Sequence, residues 1–206
     1  MWFKSRNMNK ILETLSKEEL KKLKIVELEK GETIFFEFEK CNYVGLVKRG
    51  EIKIISYLED GKEIVYSVIG PDGMFGNNLI FSNDPRYRGD VIASKKSVLY
   101  LISKEQLVEL LKNNESFLMT YLVRQSETGK SLNIRIKLLT FNSAEERLLY
   151  FLQINNSKLK YKSISDLAMT LNLSREVLSR LIHRLEKENV IYIKDKTIVK
   201  CWLVDN

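Results

Sequence analysis

The chain has 206 residues, 44% of them hydrophobic and 30% charged, the profile of a globular protein of one or two domains. Its net charge of +7 favours a polyanionic partner such as DNA, and charge alone equally suits an acidic membrane surface. No apolar run reaches the ~18 residues of a membrane span, and the start, MWFKSRNMNK, lacks the apolar core of a signal peptide, so a cytoplasmic protein with no membrane partner is expected.

Residues 1–22 read as helical and polar, with Ile11, Leu12, Leu15 and Leu20 as an intermittent apolar face. Residues 25–102 change character. Short β-rich runs at Thr33–Phe36, Tyr43–Val47, Ile52–Ile55, Ile64–Val68 and Val98–Ile102 alternate with turn signals. Those signals are Lys30-Gly31, Arg49-Gly50, Glu59-Asp60-Gly61-Lys62, Gly70-Pro71-Asp72-Gly73 and Asn83-Asp84-Pro85. Many short strands at this spacing predict a sandwich, barrel or roll. Asp60-Gly61 is a strong hairpin signal between two of them.

The helical period returns at Ser103, which can cap a short helix over 104–112. A long helix follows at about 115–140. Along it Leu118, Leu122, Gln125, Gly129, Leu132, Ile136 and Leu139 step by 4 and 3 in alternation, a heptad seam. The seam is narrow and the helix long, which favours a homodimer over a helix packed on its own domain. Gln125 and Gly129 interrupt it at the middle, where they weaken it or allow close approach and register control. Ser143 with Glu146 forms a capping box that opens the next helix, to about Gln153. Three segments are therefore expected: 1–113 as a β-roll with flanking helices, 114–141 as dimerisation helix and hinge, and 142–206 as a DNA-binding domain.

Residues 163–191 read as a helix-turn-helix. Ser163 can cap the first helix, with Asp166 in the capping-box position. Ala168 lets the helices approach, Asn172 tolerates the left-handed turn, and Ser174 can cap the second helix. In that helix Leu178, Leu181, Ile182 and Leu185 share one face, and Glu176, Ser179, Arg180 and His183 share another. An acid, a hydroxyl and a guanidinium on one exposed stripe can hydrogen-bond base edges in a major groove. Val190–Ile193 and Thr197–Val199 flank Lys194-Asp195-Lys196, a hairpin with a basic tip. It completes a winged helix, and Lys194 and Lys196 can add phosphate contacts.

Other chemistries find little support. Cys41 and Cys201 form neither a metal spacing nor a CxxC motif, and His183 is the single histidine. A His-rich metal site and a four-cysteine iron–sulfur cluster carried by this chain alone are therefore excluded, no metal is expected, and two free thiols are expected. No Ser/His/Asp arrangement or P-loop is present, so the chain is not expected to be an enzyme.

In this order, roll, long helix and winged helix-turn-helix, the chain resembles the cyclic-AMP receptor protein/fumarate-nitrate regulator (CRP/FNR) superfamily of bacterial transcription regulators. The matching stretches are KGETIFFEFEKCNYVGLVKRGEIKIISYLEDGKEIVYSVIGPDGMFG, SAEERLLYFL and LNLSREVLSRLIHRLEKENVI. The resemblance implies an α+β fold with an N-terminal cyclic-nucleotide-binding-like β-roll, a long dimerisation helix and a C-terminal winged helix-turn-helix. It implies a homodimer on double-stranded DNA, with RNA polymerase as a candidate further partner.

By the resemblance, Glu176, Ser179 and Arg180 take the base-reading positions, in an E-x-x-S-R form similar to the branch that reads TTGA-like half-sites. Arg180 would pair with guanine O6/N7 and Glu176 would accept from cytosine N4. Arg175 matches a position used for base or phosphate contact. Val177 departs from the family's Thr and lacks its phosphate-binding hydroxyl. The effector pocket would involve Gly76, Asn77, Arg88 and Gly89, and here the pattern breaks. Asn77 replaces the family's Glu, which takes the ribose hydroxyl, and Gly89 replaces the Ser or Thr after the phosphate-binding Arg. Cyclic AMP is therefore not expected, and the effector is another small molecule or none. Haem is not expected either, because the β domain has no histidine and Cys41 is its only thiol. The alternative function is a ligand-sensing or protein-interaction module of the same fold that does not read DNA.

Overall fold

The computed structural model describes residues 10–201 and divides into two compact units, one ending at Glu127 and one beginning at Thr128. Residues 1–9, the start of the expected N-terminal helix, and 202–206, the end of the expected DNA-binding domain, lie outside the described residues.

The N-terminal segment is not one helix over the described part of 1–22. A 3-10 turn, Ile11–Thr14, is followed by Leu15 in extended conformation and then by α1, Lys17–Lys22. The break has a local cause. Ser16 caps α1, its Oγ accepting from Glu19 N–H at 3.1 Å while Glu19 returns to Ser16 N–H at 2.7 Å. A capping residue takes extended backbone and so cannot continue a preceding helix.

The first unit is an antiparallel roll of six strands: β1 Lys24–Leu28, β2 Thr33–Phe35, β3 Tyr43–Tyr57, β4 Glu63–Ile69, β5 Met74–Phe75 and β6 Asp90–Ser103. The order is β1-β6-β3-β4, with β2 also on β6 and β5 also on β3. The Asp60-Gly61 hairpin forms as expected: Gly61 takes φ 78°, and Asp60 Oδ1 accepts from Lys62 N–H at 3.0 Å.

Arg49-Gly50, expected to be a turn, is a bulge inside one continuous strand. The pairing of β3 with β6 slips there, from Arg49 opposite Val98 to Glu51 opposite Lys95. Gly50 sits at φ 91°, and a Cβ on it would stand 2.2 Å from Ser97 Oγ. The buried Ser97 hydroxyl accepts from Glu51 N–H at 3.0 Å and donates to the Lys95 carbonyl at 2.7 Å. A glycine that bends a strand and one that ends it look alike in sequence.

The roll closes on a core that includes Val44, Leu46, Ile52, Phe75, Val91 and Leu99. Phe35 stacks on Tyr87 with ring centroids 4.6 Å apart, and Tyr87 Oη donates to the Tyr43 carbonyl at 3.0 Å. Helix α2, Lys104–Asn113, carries the Ser103/Gln106 capping box. Helix α3, Glu115–Thr140, spans the residues expected of the long helix, with Asn114 Oδ1 accepting from Phe117 N–H at 2.9 Å at its start.

The second unit continues through α4 Ala144–Ile154, β7 Lys158–Lys160, α5 Ile164–Thr170, α6 Arg175–Lys187, β8 Ile191–Lys194 and β9 Thr197–Lys200. Its three strands are ordered β7-β9-β8. Strand β7 has only three residues and one apolar side chain, too little for a sequence pattern to signal.

Candidate nucleic-acid interface

Helix α6 is amphipathic in the expected register. Leu178, Leu181, Ile182 and Leu185 are buried. Arg175, Glu176, Ser179, Arg180 and His183 are all exposed. Ser174 caps the helix, its Oγ accepting from Val177 N–H at 3.2 Å. At the same helix start, hydrogen bonds from its own backbone N–H and the Ser174 side chain hold the Glu176 carboxyl below the usual carboxylate range. The charges of Arg175 and Arg180 add to that effect. Glu176 is thus an acceptor at neutral pH, as pairing with a base amino group requires.

The turn before α6 holds the stripe in place. Asn172 takes φ 53°, the left-handed conformation expected of it. Around it Leu173 N–H bonds the Ala168 carbonyl at 2.9 Å, and Leu167, Ala168 and Leu171 are buried. Ser163 caps α5, its Oγ accepting from Asp166 N–H at 3.1 Å.

Helix α4 reaches both partners of this motif. Arg147 donates from Nη1 to the Asn172 carbonyl at 3.0 Å and from Nη2 to the Phe141 carbonyl at 3.2 Å. Arg184 of α6 pairs with Glu145 at 2.5 Å. Sequence patterning did not flag Arg147, because its two partners lie in segments only the fold brings near.

Beyond α6, β8 and β9 form the expected hairpin. Its tip is Asp195-Lys196 with φ values of 49° and 54°, two left-handed residues of the type that matches strand twist. Lys194 and Lys196 are exposed.

The heptad residues of α3 are uneven in exposure. Leu122, Leu132, Ile136 and Leu139 are large and exposed, Ile136 at 62%, while Leu118 is half-buried. Gly129 is exposed, and a Cβ there would meet nothing within 4 Å. Gln125 is turned to the roll instead: its Nε2 donates to the Asn77 carbonyl at 2.9 Å, and its Oε1 accepts from Asn77 Nδ2.

That pair involves Asn77, one of the residues expected of an effector pocket. Asn77 is 7% exposed, and Tyr121 Oη donates to its carbonyl at 3.0 Å. Burial, followed by the charge of Cys41, pushes the Tyr121 hydroxyl up to about 12, so it stays a donor. Arg124, next on α3, pairs with Asp72, whose carbonyl also accepts from its Nη1 at 2.7 Å. Gly76 at φ 77° packs so that a Cβ would stand 2.7 Å from the Tyr43 carbonyl. At Gly89 a Cβ would lie 2.5 Å from the Ile55 carbonyl, so no Ser or Thr fits there without a shift of backbone. Arg88 is exposed, 3.5 Å from Asp84. A separate cleft of about 330 Å³ opens beside Cys41, lined by Lys40, Tyr43, Ile80, Pro85 and Lys104 among others.

The cyclic nucleotide-binding domain family matches residues 25–114, which cover the roll and α2. Over 177 residues, 82% of this chain and 79% of the relative, the sequence is 23% identical to the cyclic AMP receptor protein of Thermus thermophilus. A transcriptional regulator from Thermotoga maritima is 27% identical over 60% of this chain and 96% of its own, with a TM-score of 0.56. A CooA mutant from Carboxydothermus hydrogenoformans shares the fold across 94% of this chain and 91% of its own, at a TM-score of 0.68 and 17% identity.

Proposed function

Because the chain belongs to the CRP/FNR superfamily, we propose that it is a homodimeric transcription regulator that reads palindromic DNA of TTGA-like half-sites through α6. The observation that carries this reading is the stripe of Glu176, Ser179, Arg180 and His183, exposed on α6 directly away from its buried leucines. Beyond the local hydrogen bonds of Glu176 at the helix start, the described residues of the second unit bury none of these side chains, whereas a major groove needs an acceptor and a bidentate donor at this spacing.

In this reading Arg180 pairs with guanine, Glu176 accepts from cytosine, and Ser179 bonds a neighbouring base edge. Arg175, Ser174 and His183 flank them, and Lys194 and Lys196 hold phosphates from the wing. The exposed apolar residues of α3 supply the dimer seam, which sets two half-sites about one helical turn, ~34–36 Å, apart. The domain roles follow: residues 1–113 as sensor-like roll, 114–141 as seam and hinge, 142–206 as reader. Cyclic AMP is not the effector in this reading, because Asn77 is already bonded to Gln125 and Gly89 admits no hydroxyl.

Selection from a random duplex library tests the proposal. The expected product is a palindrome of TTGA-like half-sites, bound with an affinity that falls steeply with salt. Failure to retain any duplex at low salt would instead favour a ligand-sensing or protein-interaction module. The described residues contain no helix long and apolar enough to cross a membrane.

A further inference from the structure

Three lysines from two strands share one face of the small sheet. Directly opposed residues of an antiparallel pair project to the same side. Lys160 of β7 and Lys194 of β8 both oppose Thr197 of β9, while Lys158 and Tyr192 both oppose Val199. The alternate row is Leu159, Ile198 and Ile193, of which Leu159 and Ile198 are fully buried. The outer face therefore reads Lys158, Lys160, Lys194, Thr197, Val199 and Tyr192, with no acid. Its three lysines and Tyr192 are exposed.

Several lysines of the roll are paired with a carboxylate, and among the described residues those of this face are not. In the roll, Lys53 lies against Glu63, Lys95 against Glu51 and Lys96 against Glu29. Lys158, Lys160 and Lys194 form no ion pair with any described carboxylate, and neither do Lys162 and Lys196 beside them.

We propose that this face is a track for DNA phosphates lying outside the half-site read by α6. The inference rests on the proposed reading of α6 and extends it from the half-site to the flanking duplex. Continuity with the wing favours DNA as the occupant. Tyr161 N–H, at the end of β7, bonds the Lys196 carbonyl at 2.9 Å, so the lysine face begins where the wing tip ends. Lys158 and Lys160 stand ~6.6–6.8 Å apart along their strand, and Lys160 and Lys194 about two strand spacings, ~9–10 Å, across the sheet. Ammonium groups on flexible stems at such distances suit successive phosphates, which ask for charge and not for fixed bidentate geometry. An acidic protein partner would ask for a larger apolar anchor than Tyr192 and Val199 provide.

The test uses the full chain and a duplex that it selects from a random library. One probe is trimmed to the two half-sites, and the other carries ~10 further base pairs, about one turn, on each side. The Lys158→Gln/Lys160→Gln double variant should match the parent on the trimmed probe, which also shows that it is folded. On the long probe it should bind more weakly, its salt slope shallower by ~0.9 for each phosphate that goes unneutralised, about 1.8 per protomer. Arg180→Ala should lose affinity on both probes. Equal binding of the long probe by parent and double variant overturns the flanking track and leaves the face to an acidic protein, with the α6 reading intact. Equal loss on both probes overturns it too, by placing the lysines on the half-site itself. If the parent retains no duplex, the α6 reading fails and this inference with it.

Discussion

The Arg147 guanidinium donates to the Asn172 carbonyl at 3.0 Å, so a helix outside the helix-turn-helix holds the residue that sets its bend. Asn172 stands in the left-handed region at φ 53°. The exposed stripe of α6 thus depends on a conformation fixed from α4.

Asn172→Gly should be tolerated, and Asn172→Val should destabilise the chain by ~1–2 kcal/mol, the cost of a left-handed residue with a Cβ. Arg147→Met should cost about 1–3 kcal/mol by leaving two carbonyls without their charged donor. Arg147→Lys should recover little of that, since one ammonium does not reproduce the fork. Urea unfolding measures all of these changes, and equal stability of Asn172→Val and the parent would contradict the argument.

Arg180→Ala should cost ~1–3 kcal/mol on the selected palindrome and relax one base position per half-site. Anisotropy titration against duplexes substituted at each position reads both effects. An unchanged base preference would remove Arg180 from base reading.

Ile136→Lys with Leu139→Lys should give a monomer in sedimentation, because both side chains are apolar and uncovered in the protomer. Gly129→Ala should weaken self-association although Ala gains ~0.5–1 kcal/mol in a helix. Within the protomer a Cβ at Gly129 meets nothing, so any loss must come from a second chain. A dimer unaffected by all three changes would place the interface elsewhere.

Cyclic AMP at millimolar concentration should leave the thermal midpoint unmoved. A ligand at a hundred times its Kd stabilises by about 2.7 kcal/mol, a shift readily seen. The Asn77–Gln125 pair occupies the position of the missing acid, so a rise in midpoint would count against the arrangement described for this roll.

Glu146 gives the second unit an acid-dependent contribution. Hydrogen bonds from the backbone N–H and side chain of Ser143 hold its carboxyl below the ordinary range. Its folded value is the lower one, so the stabilisation is complete above the unfolded value and fades as pH falls through the folded value. Glu146→Gln should flatten that part of the acid unfolding curve, and an unaltered curve would show that the capping carboxylate contributes nothing.

What the sequence made legible was local. Ser103, Ser143 and Ser174 cap the helices expected of them, because a cap is decided within four residues. The α6 stripe and the span of α3 were equally readable from period alone. What stayed hidden was set by distant partners. Gln125 looked like one more seam position until Asn77, 48 residues away, gave its amide a partner. Lys158–Lys160 carries no strand signal of its own and becomes a strand because β9 supplies an edge to pair with. Arg49-Gly50 carried the signal of a turn, and only the approach of Ser97 shows it to be a bulge.

Strand β6, Asp90–Ser103, pairs with β1, β2 and β3, all of them earlier in the chain. On the ribosome, β1 and β2 have no strand to join until the residues of β6 emerge. Strands β1 and β2 therefore wait, unpaired, through the synthesis of the roughly fifty residues that separate Phe35 from Asp90, at roughly 5–20 per second. A nascent chain stalled just before Asp90 should consequently be a better chaperone client than one stalled after Ser103.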